Sequence, residues 1–290
     1  MNFEILRNME SFTQEMFNNI IAFQEKDHPA WDPSLSFDQR IAKLPLHYLI
    51  FSNPDRNPET HGPTVAHFYP LRREMRLIAH YAEQVAEQPV IVDAHARNGF
   101  IGSLLARETR GGVLGLRDPA DKPNQIEEFY DPRCYRIEEG TLATFAGPAD
   151  VIFSAWMPPG QQLNNEIRRL SPQLVVFIFT QHVDETTGQR QTGTDTSFGE
   201  ALADDYRILE ERSLTRPKDL LHEIWPDLTP NIEETRWLRI LVRKDLALES
   251  VGDIQVEPKY HWEEELLMAE TAYAAKQEMI RRGFPPENLP

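Results

Sequence analysis

The stretch 90–102 constrains the fold of this 290-residue chain more than any other. It reads Val-Ile-Val-Asp-Ala-His-Ala-Arg-Asn-Gly-Phe-Ile-Gly, which is an apolar strand ending in Asp93, a tight turn, and the start of a helix. A strand, a turn and a helix in this order open the nucleotide-binding domain of many α/β proteins. Two turn positions that normally carry glycine hold His95 and Arg97 here.

Strands alternate with helices after this point, and two longer strands come last. Several of the strands are continuous apolar runs, as expected for parallel strands covered on both faces. We therefore predict a Rossmann-like α/β fold with a mostly parallel seven-stranded sheet and helices on both faces. The predicted strands are Val90–Asp93, Gly112–Leu116, Cys134–Ile137, Asp150–Ala155, Leu174–Thr180, Tyr206–Ser213 and Thr235–Arg243.

Apolar residues at spacings of three and four predict amphipathic helices over 3–23 and 71–87. The segment 262–282 has acidic residues at its start and basic residues at its end, which suits the helix dipole. Shorter helices are predicted over 101–108, 125–130 and 162–170.

Proline-rich sequence before residue 70 and an acidic stretch after residue 245 suggest three regions. They are a helical and irregular extension over 1–69, an α/β domain over 70–245, and a linker with a terminal helix over 246–290. Both extensions are therefore predicted to be helical, and they are candidate surfaces for a homodimer.

Composition narrows the class of partner. The net charge of −16 repels nucleic-acid backbones, so we do not expect nucleic acid as the main partner. A single cysteine, Cys134, and scattered histidines argue against a metal site. The chain contains no apolar run of membrane-spanning length and no signal-peptide pattern, so we expect a cytoplasmic protein.

The order of these elements resembles the class I S-adenosylmethionine-dependent methyltransferases over about residues 70–245. In that family the first strand ends in an acid and is followed by Gly-x-Gly-x-Gly. Asp93 matches the acid, His95 and Arg97 match the first two glycines, and Gly99 matches the third. Glycine serves there because the turn needs unusual backbone angles and the main chain must approach the cofactor. His95 is also a candidate base, and Arg97 a candidate ligand for a carboxylate or phosphate.

The resemblance implies further contacts with S-adenosylmethionine. An acid after the second strand holds the ribose in the family. Arg117 stands at its usual position, and Asp118 follows one residue later. A turn-forming role before Pro119 is the alternative for Asp118. Thr141 matches the position of a polar residue near the adenine.

The fourth strand of the family ends beside the methyl group and the substrate. This chain has Ser154-Ala-Trp-Met-Pro-Pro-Gly there, with Ser154 at the cofactor and Trp156 as a candidate aromatic wall. Core packing is the competing interpretation for Trp156. After the fifth strand, His182 is the candidate general base, and a polar loop follows it.

The resemblance implies an S-adenosylmethionine-dependent methyltransferase with an altered glycine motif that acts on an unknown small molecule or protein, and this is the function we predict. The second candidate is a catalytically inactive relative that uses the fold as a binding module, which the altered turn favours. The third is an NAD(P)-dependent oxidoreductase, because Arg97-x-Gly99-x-x-Gly102 keeps two glycines of the dinucleotide fingerprint. The two long strands at the end of the sheet suggest a reversed final strand, which resembles methyltransferases more than NAD(P)-dependent oxidoreductases.

Overall fold

The computed structural model describes residues 67–120 except 69, 130, 132–183, 188–215, 235–254 except 253, 278 and 281–283. The predicted helix over 3–23 lies outside these ranges. So do residues 125–129 of the predicted helix over 125–130, most of the predicted helix over 262–282, and all but a few residues of the two predicted extensions. The division into three regions therefore stays a prediction. Within the described residues, no helix is long and apolar enough to cross a membrane.

The described part of the α/β domain contains three α-helices, a 3₁₀ helix at Glu200–Leu202 and seven strands. The helices are α1 (Arg72–Val85), α2 (Phe100–Glu108) and α3 (Asn164–Leu170). The strands are β1 (Val90–Asp93), β2 (Gly112–Arg117), β3 (Tyr135–Glu139), β4 (Val151–Ala155), β5 (Leu174–Thr180), β6 (Tyr206–Thr215) and β7 (Thr235–Arg243). All seven predicted strands are present, with ends that differ by two residues at most.

The seven strands form one sheet in the order β3-β2-β1-β4-β5-β7-β6. The first five pair in parallel, and β7 runs antiparallel to both β5 and β6. The prediction of a mostly parallel seven-stranded sheet is therefore confirmed. An antiparallel seventh strand between β5 and β6 separates this sheet from the dinucleotide-binding order 3-2-1-4-5-6.

The sheet separates two apolar layers. On one face, α1 and α2 pack over the sheet through Tyr81, Ile91, Leu105 and Phe153, which are at most 1% exposed. On the other face, α3 packs with residues of β4 and β5 such as Ile152. Both β4 and β5 are buried along their whole length, which explains their continuous apolar sequence.

A buried ion pair ties the start of α1 to the start of β7. Arg236 donates through Nη2 to Glu74 Oε2 at 2.5 Å, and the backbone N–H of Leu71 donates to the same oxygen at 2.6 Å. The Arg236 guanidinium also lies 5.2 Å from the Phe68 ring centroid. These contacts fix the segment before α1 at the edge of the sheet where strands β1 to β5 end.

Candidate functional site

The candidate site lies where β1 and β4 end side by side. From β1 the chain continues to β2 on one side, whereas β4 lies on the other side of β1. Sheets of this kind bind their ligands in the crevice outside the carboxyl ends of the strands at such a switch point. The turn after β1 borders this crevice, which we call the switch crevice.

Backbone contacts hold the turn in place. The N–H of Ala94 donates to the Phe153 carbonyl at 2.8 Å, and that of Ala96 donates to the Leu116 carbonyl at 3.0 Å. Gly99 starts α2 with a left-handed φ of 88°, and a Cβ there would lie 2.4 Å from Tyr130 Cδ1. Gly99 therefore has the conformation and the close packing that the family resemblance assigns to glycine.

Asp93 is buried beneath this turn at 1% exposure. Its Oδ2 accepts a hydrogen bond from the Tyr135 hydroxyl at 2.8 Å, and its Oδ1 accepts one from the backbone N–H of His95 at 3.2 Å. Burial raises the pKa of Asp93 to about 6, although both hydrogen bonds and the Arg97 charge oppose that rise. A Cβ at Gly102 would lie 2.4 Å from the same Oδ2, so Asp93 fills the space that this glycine leaves.

His95 links β1 to the end of β4. Its Nδ1 lies 3.0 Å from Ser154 Oγ, and its Nε2 lies 3.2 Å from Gln161 Oε1. Because Gln161 Oε1 only accepts, the matching tautomer carries its proton on Nε2 and accepts from Ser154 at Nδ1. Burial lowers the pKa of His95 to about 4, and the Arg97 charge adds to this, so the ring is neutral at pH 7.

Arg97 crosses the switch crevice. One guanidinium nitrogen, Nη1, lies 2.8 Å from His67 Nε2, and the other, Nη2, donates to the Trp156 carbonyl at 2.9 Å. Burial and the Arg97 charge lower the pKa of His67 to about 3, so its ring is neutral. Because arginine only donates, the matching tautomer accepts at Nε2 and carries its proton on Nδ1. Arg97 has a left-handed φ of 48°, a conformation that costs a non-glycine residue about 1 kcal/mol.

Trp156 forms the far side of the crevice and packs against the chain itself. It also has a left-handed φ, of 57°, and is 7% exposed. Its ring stacks on His67 with centroids 6.1 Å apart and contacts Phe68 at 5.1 Å. The aromatic wall suggested by the sequence is thus covered by the segment that precedes α1.

The side chains at the end of β2 bond to nearby backbone groups of the protein. Arg117 Nε donates to the Arg97 carbonyl at 2.8 Å. Asp118 Oδ1 accepts from the backbone N–H of Ala120 at 2.9 Å, which is the side-chain turn that Asp forms before a proline. Thr141 follows β3, and its N–H donates to Thr144 Oγ1 at 3.2 Å. Because β2 and β1 separate β3 from β4, Thr141 lies at a different part of the sheet edge.

His182 begins a loop after β5 that folds back over the end of β4. Its backbone N–H donates to Thr180 Oγ1 at 3.1 Å, and its carbonyl accepts from Gln191 at 3.1 Å. Further along, the Gly193 N–H donates to the Met157 carbonyl at 3.1 Å. Among the described residues, no hydrogen bond joins the His182 imidazole to the groups around Asp93.

The structure therefore brings four of the predicted residues together, namely Asp93, His95, Arg97 and Ser154, with Trp156 beside them. Sequence reasoning missed three partners: His67, Tyr135 and Gln161. Gln161 follows the Pro158-Pro159-Gly160 turn, so its place after β4 was a usable signal. His67 and Tyr135 lie 30 and 42 residues from their partners, and no local pattern marks them.

No protein-family model matches the chain, and no curated protein matches it. Among solved structures, the Pyrococcus abyssi tRNA (uracil-54, C5)-methyltransferase in complex with S-adenosyl-L-homocysteine is 17% identical, with a TM-score of 0.36. The match covers 58% of this chain and 38% of that one. A TehB-like SAM-dependent methyltransferase from Corynebacterium glutamicum is 19% identical, with a TM-score of 0.34 and coverage of 59% and 87%.

Identities and TM-scores this low give no information about the function of this chain. The strand order, with its antiparallel β7 between β5 and β6, identifies the architecture from the sheet alone. The chain has a class I S-adenosylmethionine-dependent methyltransferase-like fold.

Proposed function

We propose that this chain uses a methyltransferase-like fold as a non-catalytic binding protein, with the switch crevice closed by its own side chains. One observation carries the proposal. The Arg97 guanidinium spans the crevice from His67 Nε2 to the Trp156 carbonyl, with distances of 2.8 and 2.9 Å. The protein therefore satisfies this carbonyl itself, without a ligand.

Steric fit supports the proposal. In the family that this fold resembles, glycine at the positions of His95 and Arg97 lets the main chain approach the cofactor. Here both side chains extend from the turn to the end of β4, where His95 meets Ser154 and Arg97 meets Trp156. A nucleoside that contacted the turn would have to displace both.

Charge supports the proposal as well. S-adenosylmethionine carries a sulfonium cation, and the Arg97 guanidinium that crosses the crevice carries a charge of the same sign. One carboxylate oxygen of Asp118, the candidate ribose ligand, already accepts a hydrogen bond from the backbone N–H of Ala120.

Opening the crevice has a further cost. A ligand would have to break two charge-assisted hydrogen bonds of Arg97, each worth about 1.5–3 kcal/mol. A cost of about 3 kcal/mol weakens the apparent affinity by roughly two powers of ten. We therefore expect the affinity for S-adenosylmethionine to be about a hundred times weaker than that of the same crevice without the Arg97 contacts.

A methyltransferase is the second candidate, and the intact part of the turn favours it. Asp93, Gly99 and Gly102 keep the buried acid and the two close packing positions. In this alternative, Arg97 swings out and the second oxygen of Asp118 binds the ribose. Trp156 then lines the reacting end, with His182 as the base for a poor nucleophile. The methyl acceptor is a small molecule or a protein.

Equilibrium dialysis with radiolabelled S-adenosylhomocysteine distinguishes the two candidates. We expect no binding to the wild-type chain at micromolar ligand, because the cost of opening the crevice weakens the affinity by roughly two powers of ten. The variants are Arg97→Gly and the double change His95→Gly with Arg97→Gly, and Arg110→Gly is the control because Arg110 is exposed outside the crevice.

Binding that appears in the double variant and not in the control would show that these two side chains close the crevice. Micromolar binding to the wild type would refute the proposal and favour the methyltransferase. An absence of binding in every variant, the double variant included, would show that these two side chains are not what excludes the ligand.

A further inference from the structure

The imidazole of His67 is held at the switch crevice by two kinds of contact. Its Nε2 accepts a hydrogen bond from Arg97 Nη1 at 2.8 Å. Its face lies almost parallel to the Trp156 ring, at an interplanar angle of 10° with the ring centroids 6.1 Å apart, which is an offset stack. Proteins hold a bound heteroaromatic ring in the same way, with a polar group at one edge and an aromatic side chain against its face.

Arg97 and Trp156 are fixed by contacts that do not involve His67. The backbone N–H of Trp156 donates to the Ile178 carbonyl of β5 at 2.8 Å, and the Arg97 carbonyl accepts from Arg117 Nε at 2.8 Å. Arg97 Nη2 also donates to the Trp156 carbonyl at 2.9 Å. We call Arg97 and Trp156 together the ring clamp. We therefore expect the ring clamp to remain in place when the His67 ring is removed.

Both residues of the ring clamp have a strained backbone. The φ angle is 48° at Arg97 and 57° at Trp156, and Ser171 is the third described non-glycine residue with a positive φ. Two of these three residues therefore contact the same imidazole. Strained backbone costs free energy, and it concentrates at ligand clamps and switch regions. The strain favours a ligand site over ordinary core packing.

The neighbouring residue, Phe68, anchors His67 beside the ring clamp. Phe68 is 1% exposed, its ring centroid lies 5.1 Å from that of Trp156, and the Arg236 guanidinium lies 5.2 Å from it. His67 itself is partly exposed. Rotation about its side-chain bonds can therefore take the imidazole out of the crevice while Phe68 stays in the core.

Donor and acceptor chemistry defines what can take the place of the imidazole. Guanidinium nitrogens only donate, so the ring atom that faces Arg97 must be a nitrogen without a proton. A cationic ring is disfavoured because the Arg97 charge repels it. The ligand class is therefore a neutral heteroaromatic ring with an acceptor nitrogen, and imidazole and pyridine are simple examples.

We propose that Arg97 and Trp156 form a binding site for a neutral nitrogen heteroaromatic ring, and that His67 occupies this site as an internal ligand that competes with it. The hydrogen bond from Arg97 to the Trp156 carbonyl persists in both states, and only the ring is exchanged. This inference rests on the proposed function, since it names the ligand class of a protein that acts by binding.

The test removes the internal ring and supplies a free one. His67→Gly is titrated with imidazole at about pH 8.5, where that ring is neutral, and the rise in melting temperature measures binding. Pyridine is the second probe, and pyrrole, which has no acceptor nitrogen, is the control ligand. His80→Gly is the control variant, because the exposed His80 ring bonds to Gln84 of the same helix. The double change His67→Gly with Arg97→Met removes the donor of the ring clamp.

We expect imidazole and pyridine to bind His67→Gly saturably, with a dissociation constant of roughly 1–10 mM for so small a ligand. The wild type should bind them about tenfold to a hundredfold more weakly, because its own ring is tethered at the site. The double variant should not bind, and His80→Gly should behave as the wild type does. Equal affinity of His67→Gly and the wild type, equal binding of pyrrole, or no binding to His67→Gly would overturn the proposal.

The wild-type chain supplies a measurement that does not depend on the folding of a variant. Nuclear magnetic resonance of histidine labelled with ¹³C at Cε1 follows the His67 ring during a titration with imidazole to about 0.5 M. The His67 signal should move towards that of an exposed histidine as the free ring displaces it. A His67 signal that imidazole leaves unchanged would contradict the proposal. His67→Ala is titrated as well, in case His67→Gly does not fold.

Failure here is separable from failure of the proposed function. Binding of S-adenosylhomocysteine to the wild type would refute the closed crevice, and the imidazole titrations are carried out without that ligand. A failed imidazole titration would refute the internal ligand and leave the closed crevice standing, because Arg97 would still donate to the Trp156 carbonyl.

Discussion

The Tyr135→Phe variant tests whether the protein itself holds the buried acid of the turn. Its loss of stability should depend on pH, because the lost hydroxyl donates to Asp93 Oδ2 at 2.8 Å. Above pH 6 the acid is ionised, and a hydrogen bond to a buried charge is worth about 1.5–3 kcal/mol. Below pH 6 Asp93 is protonated, and the same bond is worth about 1 kcal/mol.

The sign follows from proton uptake. Burial raises the pKa of Asp93 from 3.8 to about 6, so the folded state binds more protons than the unfolded state between these values. The contribution of Asp93 to stability therefore falls as the pH rises from about 4 to about 6. Tyr135→Phe removes a bond that favours the ionised form, so it should raise the pKa of Asp93 further and extend this fall to higher pH.

Urea unfolding at pH 5 and pH 8 measures the effect. We expect Tyr135→Phe to lower the free energy of unfolding by about 1 kcal/mol at pH 5 and about 2 kcal/mol or more at pH 8. Tyr206→Phe is the matched control, since its buried hydroxyl donates to the neutral Pro172 carbonyl at 2.8 Å. Its cost should be the same at both pH values. An equal cost of Tyr135→Phe at both, or a larger one at pH 5, would refute the reasoning.

Three further predictions concern packing, charge and titration. Gly102→Ala should destabilise the chain by about 2 kcal/mol, because its Cβ would lie 2.4 Å from Asp93 Oδ2. Gly112→Ala is the control and should cost little, since no atom lies within 4 Å of a Cβ at that position. Thermal unfolding of the two variants measures the difference. Glu74→Met should cost about 3–5 kcal/mol by leaving Arg236 buried without its partner, and Glu74→Met with Arg236→Met should recover most of it in urea unfolding. Burial lowers the pKa of His95 from 6.5 to about 4, so the contribution of His95 to stability is lost as the pH falls from 6.5 to 4. His95→Gln removes this titration. The melting temperature of the variant should therefore fall less than that of the wild type over the same pH range.

The sequence predicted the sheet well because its strands are short apolar runs between clear turn residues. Burial on both faces left β4 and β5 with no polar residue to blur the pattern, apart from Ser154 and Thr180 at or near their ends. The ends of β3 and β6 were less accurate. Both are outer strands of the sheet, where polar residues such as Glu138 and Glu139 extend the pairing.

The site could be predicted only in part. The sequence placed His95 and Arg97 on the turn, because the flanking elements β1 and α2 can each be recognised from a short stretch of sequence. The contacts of their side chains depend on segments distant in sequence, such as His67 and Gln161, and no local spacing encodes them. The left-handed backbone of Trp156, which aims its ring at the segment before α1, likewise follows from the tertiary packing.

The most direct test of the closed crevice is a crystal structure of the wild-type chain grown with saturating S-adenosylhomocysteine. The account predicts the Arg97 guanidinium within hydrogen-bond distance of the Trp156 carbonyl and no nucleoside density above the turn at His95. S-adenosylhomocysteine bound between the ends of β1 and β4, with Arg97 displaced from Trp156, would contradict it.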